Sequence, residues 1–224
     1  MLDITRRAHS QARRARRGLW FPLVLFGAII LLASPLYEAY GPGLNGAAYP
    51  VIPRTLSRVS FAGGYLLKSP LAVSLFWLVA LTLGYGGTVV FYRMRAGRSG
   101  IAGSVRGYVL TGLALLAIQV ALPWFGEFPA GVTVGVLPGD LLVRGLTPLL
   151  TIPLSLLVLA WAERSEPLAI FAVFFVALAL LANLYDMSNL FRIRTPEPAI
   201  NVIIPGAILL IAGVAFWVAG RRVH

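Results

Sequence analysis

Three observations predict an all-α polytopic membrane protein, a bundle of six transmembrane helices with both termini cytoplasmic. Charged residues fill 12% of the 224 positions, against about 25% in soluble domains, while 58% are hydrophobic and the mean hydropathy is +0.84. The apolar residues gather into six long runs of about 17–25 positions, the length that crosses a hydrocarbon layer of about 30 Å as helix. Ionisable groups, which give a net charge of +11, are nearly missing from the centres of those runs. The chain has no cysteine, and His9 and His224 lie at its extreme ends, which excludes a disulfide scaffold and a thiolate metal site.

The elements follow in order. Residues 1–17 form an arginine-rich cytoplasmic or interfacial segment with Arg6, Arg7, Arg13, Arg14, Arg16 and Arg17. Ile4, Ala8, Ala12, Ala15 and Leu19 recur every three or four positions. A helix there carries a shallow apolar stripe, as an interfacial helix on anionic lipid does; arginines that only fix topology fit the same pattern. The apolar run that follows is as long as a full span and no small-x-small site closes it, so a cleaved signal peptide is not expected. The transmembrane domain, 18–220, starts with span one at about 18–37, flanked by the interfacial aromatics Trp20 and Tyr37. Span two, about 70–92, opens on Pro70, whose missing N–H costs nothing in a first helical turn. Tyr92, Arg93 and Arg95 mark its exit. Span three, about 107–125, ends on Pro123, Trp124 and Phe125 before a Gly- and Pro-rich stretch. Spans four and five, about 141–161 and 167–185, are joined by residues 162–166, short enough to make them an antiparallel hairpin. Span six, about 201–219, stops at Gly220, Arg221 and Arg222, with 221–224 a cytoplasmic tail.

Arginine placement orients the bundle, because short basic loops stay in the cytoplasm. With the N-terminus inside, the inner segments hold the six N-terminal arginines, Arg93, Arg95, Arg98, Arg106, Arg164, Arg221 and Arg222. The outer loops hold Arg54, Arg58, Lys68, Arg144, Arg192 and Arg194. An even number of spans agrees, and the expected location is the bacterial cytoplasmic membrane.

Two features stand out for partners or ligands. Ala80, Gly84 and Thr88 form one small-residue ladder and Gly103, Gly107 and Thr111 another, each repeating every fourth residue and so lining one helix face. Helices in lipid pack closely through such faces, either within the chain or against a partner subunit. Polar residues collect near the predicted outer ends: Asp140 and Arg144 before span four, Asn183, Asp186 and Asn189 at the end of span five, and Arg192 after it. Asn183, Asp186 and Asn189 share a face if the helix continues. The cluster is either a solvated rim or a surface facing a substrate or partner.

Intramembrane enzymes fit poorly. Histidine-dependent zinc, serine and cysteine chemistry has no core histidine to use. Tyr185-Asp186 is similar to the Tyr-Asp pair of presenilin-like proteases, but Leu137, Pro138, Gly139 and Asp140 do not make their Gly-x-Gly-Asp, and the order along the chain is reversed. No phosphate loop with its lysine occurs, so ATP hydrolysis belongs to another chain. The arginine segment is short and lacks interleaved aromatics, so no nucleic-acid partner is expected. The loop at about 38–69 is too short and too rich in Pro and Gly for a domain of its own.

The stretches 20–27 from Trp20 to Gly27, 78–86 from Leu78 to Gly86, 144–150 from Arg144 to Leu150, and 182–191 from Ala182 to Phe191 resemble an actinobacterial family of uncharacterised six-span membrane proteins. Lys68 is the only lysine among 19 basic residues, which fits a GC-rich genome. The chain is more distantly similar to the membrane subunits of ABC exporters, which share six spans, cytoplasmic ends and a basic interfacial helix before span one. In the ABC-2 type the last outer loop is elaborated, whereas here the loop after span one is the longest. These readings lead to a noncatalytic membrane component of a transport system without a cofactor. It would be an ABC-type exporter subunit for an apolar or amphipathic compound, embedded in the lipid bilayer with a separate ATPase subunit and able to form a homo-oligomer. The alternative is a scaffold or regulatory subunit bound to another membrane protein, such as a sensor or secretion component.

Overall fold

A computed structural model describes residues 18–37, 67, 69–99, 105–125, 146–184, 187 and 199–221. Regular structure among them is helical: α1 (Trp20–Ala33), extended by a 3-10 turn (Ser34–Leu36), α2 (Pro70–Ser99), α3 (Val105–Phe125), α4 (Pro148–Ala162), α5 (Glu166–Leu184) and α6 (Ile200–Arg221). Three stretches are long and apolar enough to cross a membrane: Leu71–Met94, Glu166–Leu184 and Ile200–Arg221. Trp20–Leu36, Gly107–Ile118 and Pro148–Ala162 are shorter apolar helices.

The helices match the expected spans in order, with shifted ends. Pro35 tightens the end of α1 into the 3-10 turn, because proline cannot donate to the α-helical ladder. α2 runs on to Ser99, beyond the basic exit expected to end it. α4 opens with Thr147 at its N-cap and Pro148 in its first turn, so the described helix is shorter than the expected span.

Each helix packs on its neighbours in sequence, and α6 returns to α1, closing a ring. The pairings are antiparallel. Phe21 stacks on Phe91 with centroids 4.1 Å apart, while at the other end of the same helix pair Trp77 donates to Tyr37. The most extensive interface is α1 with α6. There, a methyl added at Gly27 would lie 2.9 Å from the backbone N of Leu210, one at Gly206 2.8 Å from Leu31, and one at Gly213 2.6 Å from Val24. Each helix inserts branched side chains where the other has no side chain, so the backbones approach closely enough for dispersion to hold them together.

The α4–α5 hairpin is closed by Arg164, the one described non-glycine residue with positive φ, at 49°. Arg164 N–H donates to Trp161 O and Ser165 N–H to Ala160 O, the pair of bonds that completes a Schellman stop. Ser165 O then accepts from Ala169 N–H, so one residue ends α4 and begins α5.

Among the described residues, every charged side chain lies at one end of the ring: Arg93 at the end of α2, Glu163, Arg164 and Glu166 in the hairpin, and Arg221 at the end of α6. Aromatic rings gather there too. Trp161 is 82% exposed, and the Arg221 guanidinium stands 3.7 Å over the Trp217 ring. An aromatic and basic rim of this kind suits a membrane–water boundary, where ring faces meet lipid and cations meet headgroups. Between the ends, large aliphatic side chains such as Leu83, Leu110, Ile170 and Ile211 point outward.

Candidate functional site

The interior of the ring is not uniformly greasy. α2 turns Ser74, Trp77, Leu81, Tyr85, Thr88 and Tyr92 inward, at spacings of three and four, and all six are buried. The opposite face carries Leu75, Val79, Leu83 and Val90, all exposed. α2 is therefore amphipathic in an unusual sense: its lipid face is aliphatic, and its inner face carries indole and hydroxyl groups.

At the opposite end of the ring, Trp77 Nε1–H donates to Tyr37 Oη at 2.8 Å, tying α2 to the turn after α1. Deeper in the bundle, Ser155 Oγ–H donates to Thr151 O at 2.5 Å and stands 2.6 Å from Tyr85 Oη. With its own proton committed to Thr151, Ser155 accepts from Tyr85, which binds α2 to α4 across the ring. Thr151 Oγ–H turns back to Pro148 O at 2.7 Å. Pro153 sits in this same helix, where its ring withdraws one backbone donor. Tyr108 from α3 completes the group, its ring centroid 5.5 Å from that of Tyr85. Gly112, one turn further along α3, leaves room for the Tyr85 ring. Tyr108 Oη is fully buried without a hydrogen bond of good geometry, although the Thr88 hydroxyl, donated to Gly84 O, lies beside it. Leaving a buried hydroxyl unmatched costs about 1–3 kcal/mol, so this position is maintained at a penalty.

The structure separates the residues singled out by sequence. Gly84 faces α1, where an added methyl would lie 2.8 Å from Phe26 and 2.9 Å from Ile29. Thr88 is buried and Ala80 packs against the core. In the second ladder, a methyl added at Gly107 would lie 3.8 Å from Val158 of α4, an ordinary contact, Thr111 is half-buried, and Gly103 lies outside the described residues. Of the polar rim, only Asn183 is described; Asp140, Arg144, Asp186, Asn189 and Arg192 lie outside. Asn183 is fully buried, with Nδ2 donating to Leu146 O at 3.2 Å and Ala179 O at 2.8 Å, so it fastens the end of α5 to the start of α4. Asn201 does similar work at the start of α6, its Oδ1 accepting from Met187 N–H at 2.8 Å.

No family model, curated protein or solved structure matches this chain. Chemistry must therefore be argued from the side chains alone. Among the described residues no three of His, Cys, Asp and Glu come together. Among the described residues the interior offers uncharged hydrogen-bond donors and acceptors, which can bind a neutral polar group.

Sequence reasoning missed Tyr85, Tyr108, Thr151 and Ser155. A signal was present in the four-residue spacing of Thr147, Thr151 and Ser155, which puts three hydroxyls on one face of an otherwise aliphatic helix.

Proposed function

We propose that this chain is a noncatalytic, six-span component of the bacterial cytoplasmic membrane with both termini inside, acting as the membrane subunit of a transport system for an apolar or amphipathic compound. ATP hydrolysis is assigned to a separate chain, as in ABC-type exporters. The observation that carries the reading is the distribution of charge: no described charged side chain lies between the helix ends, and the described interior is neutral, aromatic and hydroxylated. Such an interior has no relay for protons or metal ions, and it suits cargo whose polar part carries no net charge. A second reading, a scaffold or regulatory subunit for another membrane protein, is favoured by how completely Trp77, Tyr85, Tyr108, Phe26 and Phe175 fill the ring.

Isolation from the native membrane in mild detergent tests both. A nucleotide-binding protein recovered with the chain supports transport, a sensor kinase or secretion component supports the scaffold, and recovery alone rejects the two readings as stated. Because the sequence is cysteine-free, single cysteines at Ser69 and Glu166 test topology directly. Labelling of Ser69→Cys only from outside and Glu166→Cys only from inside is expected, and the reverse pattern overturns the orientation.

A further inference from the structure

We infer that the inward face of α2 is the closed form of a polar track across the membrane, which takes an uncharged hydrogen-bonding headgroup of the glycosyl or polyol class. The inference rests on the transport reading and names its cargo. From Ser74 to Tyr92 the helix rises through eighteen residues, about 27 Å at about 1.5 Å each, close to the thickness of a hydrocarbon core. Of the seven buried positions over that depth, five carry an N–H or O–H group; Leu81 and Gly84, which faces α1, do not. Packing alone does not call for this, since the α1–α6 seam of the same bundle is built from glycine and aliphatic side chains.

Leu81 is the one large apolar side chain among those positions. It divides the track into an outer part, where Trp77 is engaged with Tyr37, and an inner part, where Tyr85 is engaged with Ser155. Phe26 from α1 leans on Tyr85 with centroids 5.2 Å apart, just below that break. Tyr108 Oη, buried without a hydrogen bond of good geometry, is the group a ligand hydroxyl would satisfy. Every group on the track is neutral, so an anionic or cationic headgroup would be desolvated there with nothing to balance it. A sugar or polyol exchanges its water hydrogen bonds for those of tyrosine, serine and threonine as it moves.

Cysteine labelling in intact membranes tests the track without knowledge of the cargo. The reactive thiolate forms only where water enters, and the track admits water as it opens whereas the lipid face does not, so labelling by a small uncharged methanethiosulfonate at Ser74→Cys, Leu81→Cys and Thr88→Cys is expected to be about tenfold faster than at Leu75→Cys, Leu83→Cys and Val90→Cys. Equal, slow labelling of both faces overturns the track and leaves the membrane reading standing. Fast labelling of both faces rejects the membrane reading and the track with it. Three positions on each face keep the comparison intact if one variant fails to fold. Protection of Thr88→Cys by a glycosyl-diacylglycerol, and not by phosphatidylglycerol, is expected for the headgroup class; protection by the anionic lipid, or by neither, overturns that class.

Discussion

The α1–α6 seam and the inward face of α2 both bring apolar helices together, and they do it by opposite means. The seam removes side chains: Gly27, Gly206 and Gly213 each receive a branched residue from the facing helix. The α2 face adds large polar ones, and holds them with hydrogen bonds from Trp77 to Tyr37 and between Tyr85 and Ser155. Close glycine packing has one good geometry and resists separation, because dispersion falls off within about an ångström. Hydrogen bonds between side chains exchange readily for bonds to another hydroxyl, and inside membranes each is worth only about 1 kcal/mol. The difference teaches that the bundle has a fastened side and a side whose contacts a polar ligand could replace.

The largest expected effect falls on the fastened side. Gly27→Leu should lower stability by about 3 kcal/mol, since its Cβ meets the backbone of Leu210, which cannot turn aside. Thermal melting in detergent measures it. Gly86→Leu is the control: nothing lies within 4 Å of an added methyl there, and a change of less than about 0.5 kcal/mol is expected. Equal losses at both positions would mean that the seam is not the fastened side. Next in size is Tyr85→Phe, expected to cost about 1 kcal/mol by removing the bond to Ser155. Tyr108→Phe should differ in sign. Its hydroxyl has no well-formed bond to lose, so the melting point should stay level or rise, and a fall comparable to that of Tyr85→Phe would show that Thr88 already satisfies it. The smallest effect lies outside both regions. Arg164→Gly relieves the positive φ of the hairpin and should raise stability by about 0.5–1 kcal/mol, provided the loop otherwise keeps its two Schellman bonds.

Much of the fold was legible because lipid imposes a simple rule: long apolar runs become helices, and Glu166–Leu184 and Ile200–Arg221 lie within a few residues of where hydropathy put them. The Gly84 ladder was visible as a buried face for the same reason, although its close contact, with Phe26 and Ile29 of α1, is not written in the spacing. The α1–α6 seam was illegible. Its glycines form no four-residue ladder: Gly206 and Gly213 lie seven apart in α6 and Gly27 stands in α1, each meeting branched residues of a helix far away in sequence, and such complementarity shows only when the two are laid side by side. The hydroxyl cluster was hidden differently. Tyr85, Tyr108 and Ser155 each read as an isolated residue in an apolar run, and only the ring brings them to one level. The outer rim drew attention because its residues are polar or charged, and in the one member described, Asn183, it is Nδ2 that is engaged, by backbone carbonyls of its own hairpin.

The ring closes through its first and last described helices, and this sets an order of assembly. Ala33 ends α1 and Ile200 starts α6, so 166 residues separate the two halves of the tightest joint. At a synthesis rate of about 5–20 residues per second, the glycine notches of α1 wait roughly 10–30 s for their counterpart. During that interval the unfinished barrel presents a bare docking edge to insertion chaperones and proteases, and a ribosome that stalls before α6 leaves a product marked for disposal.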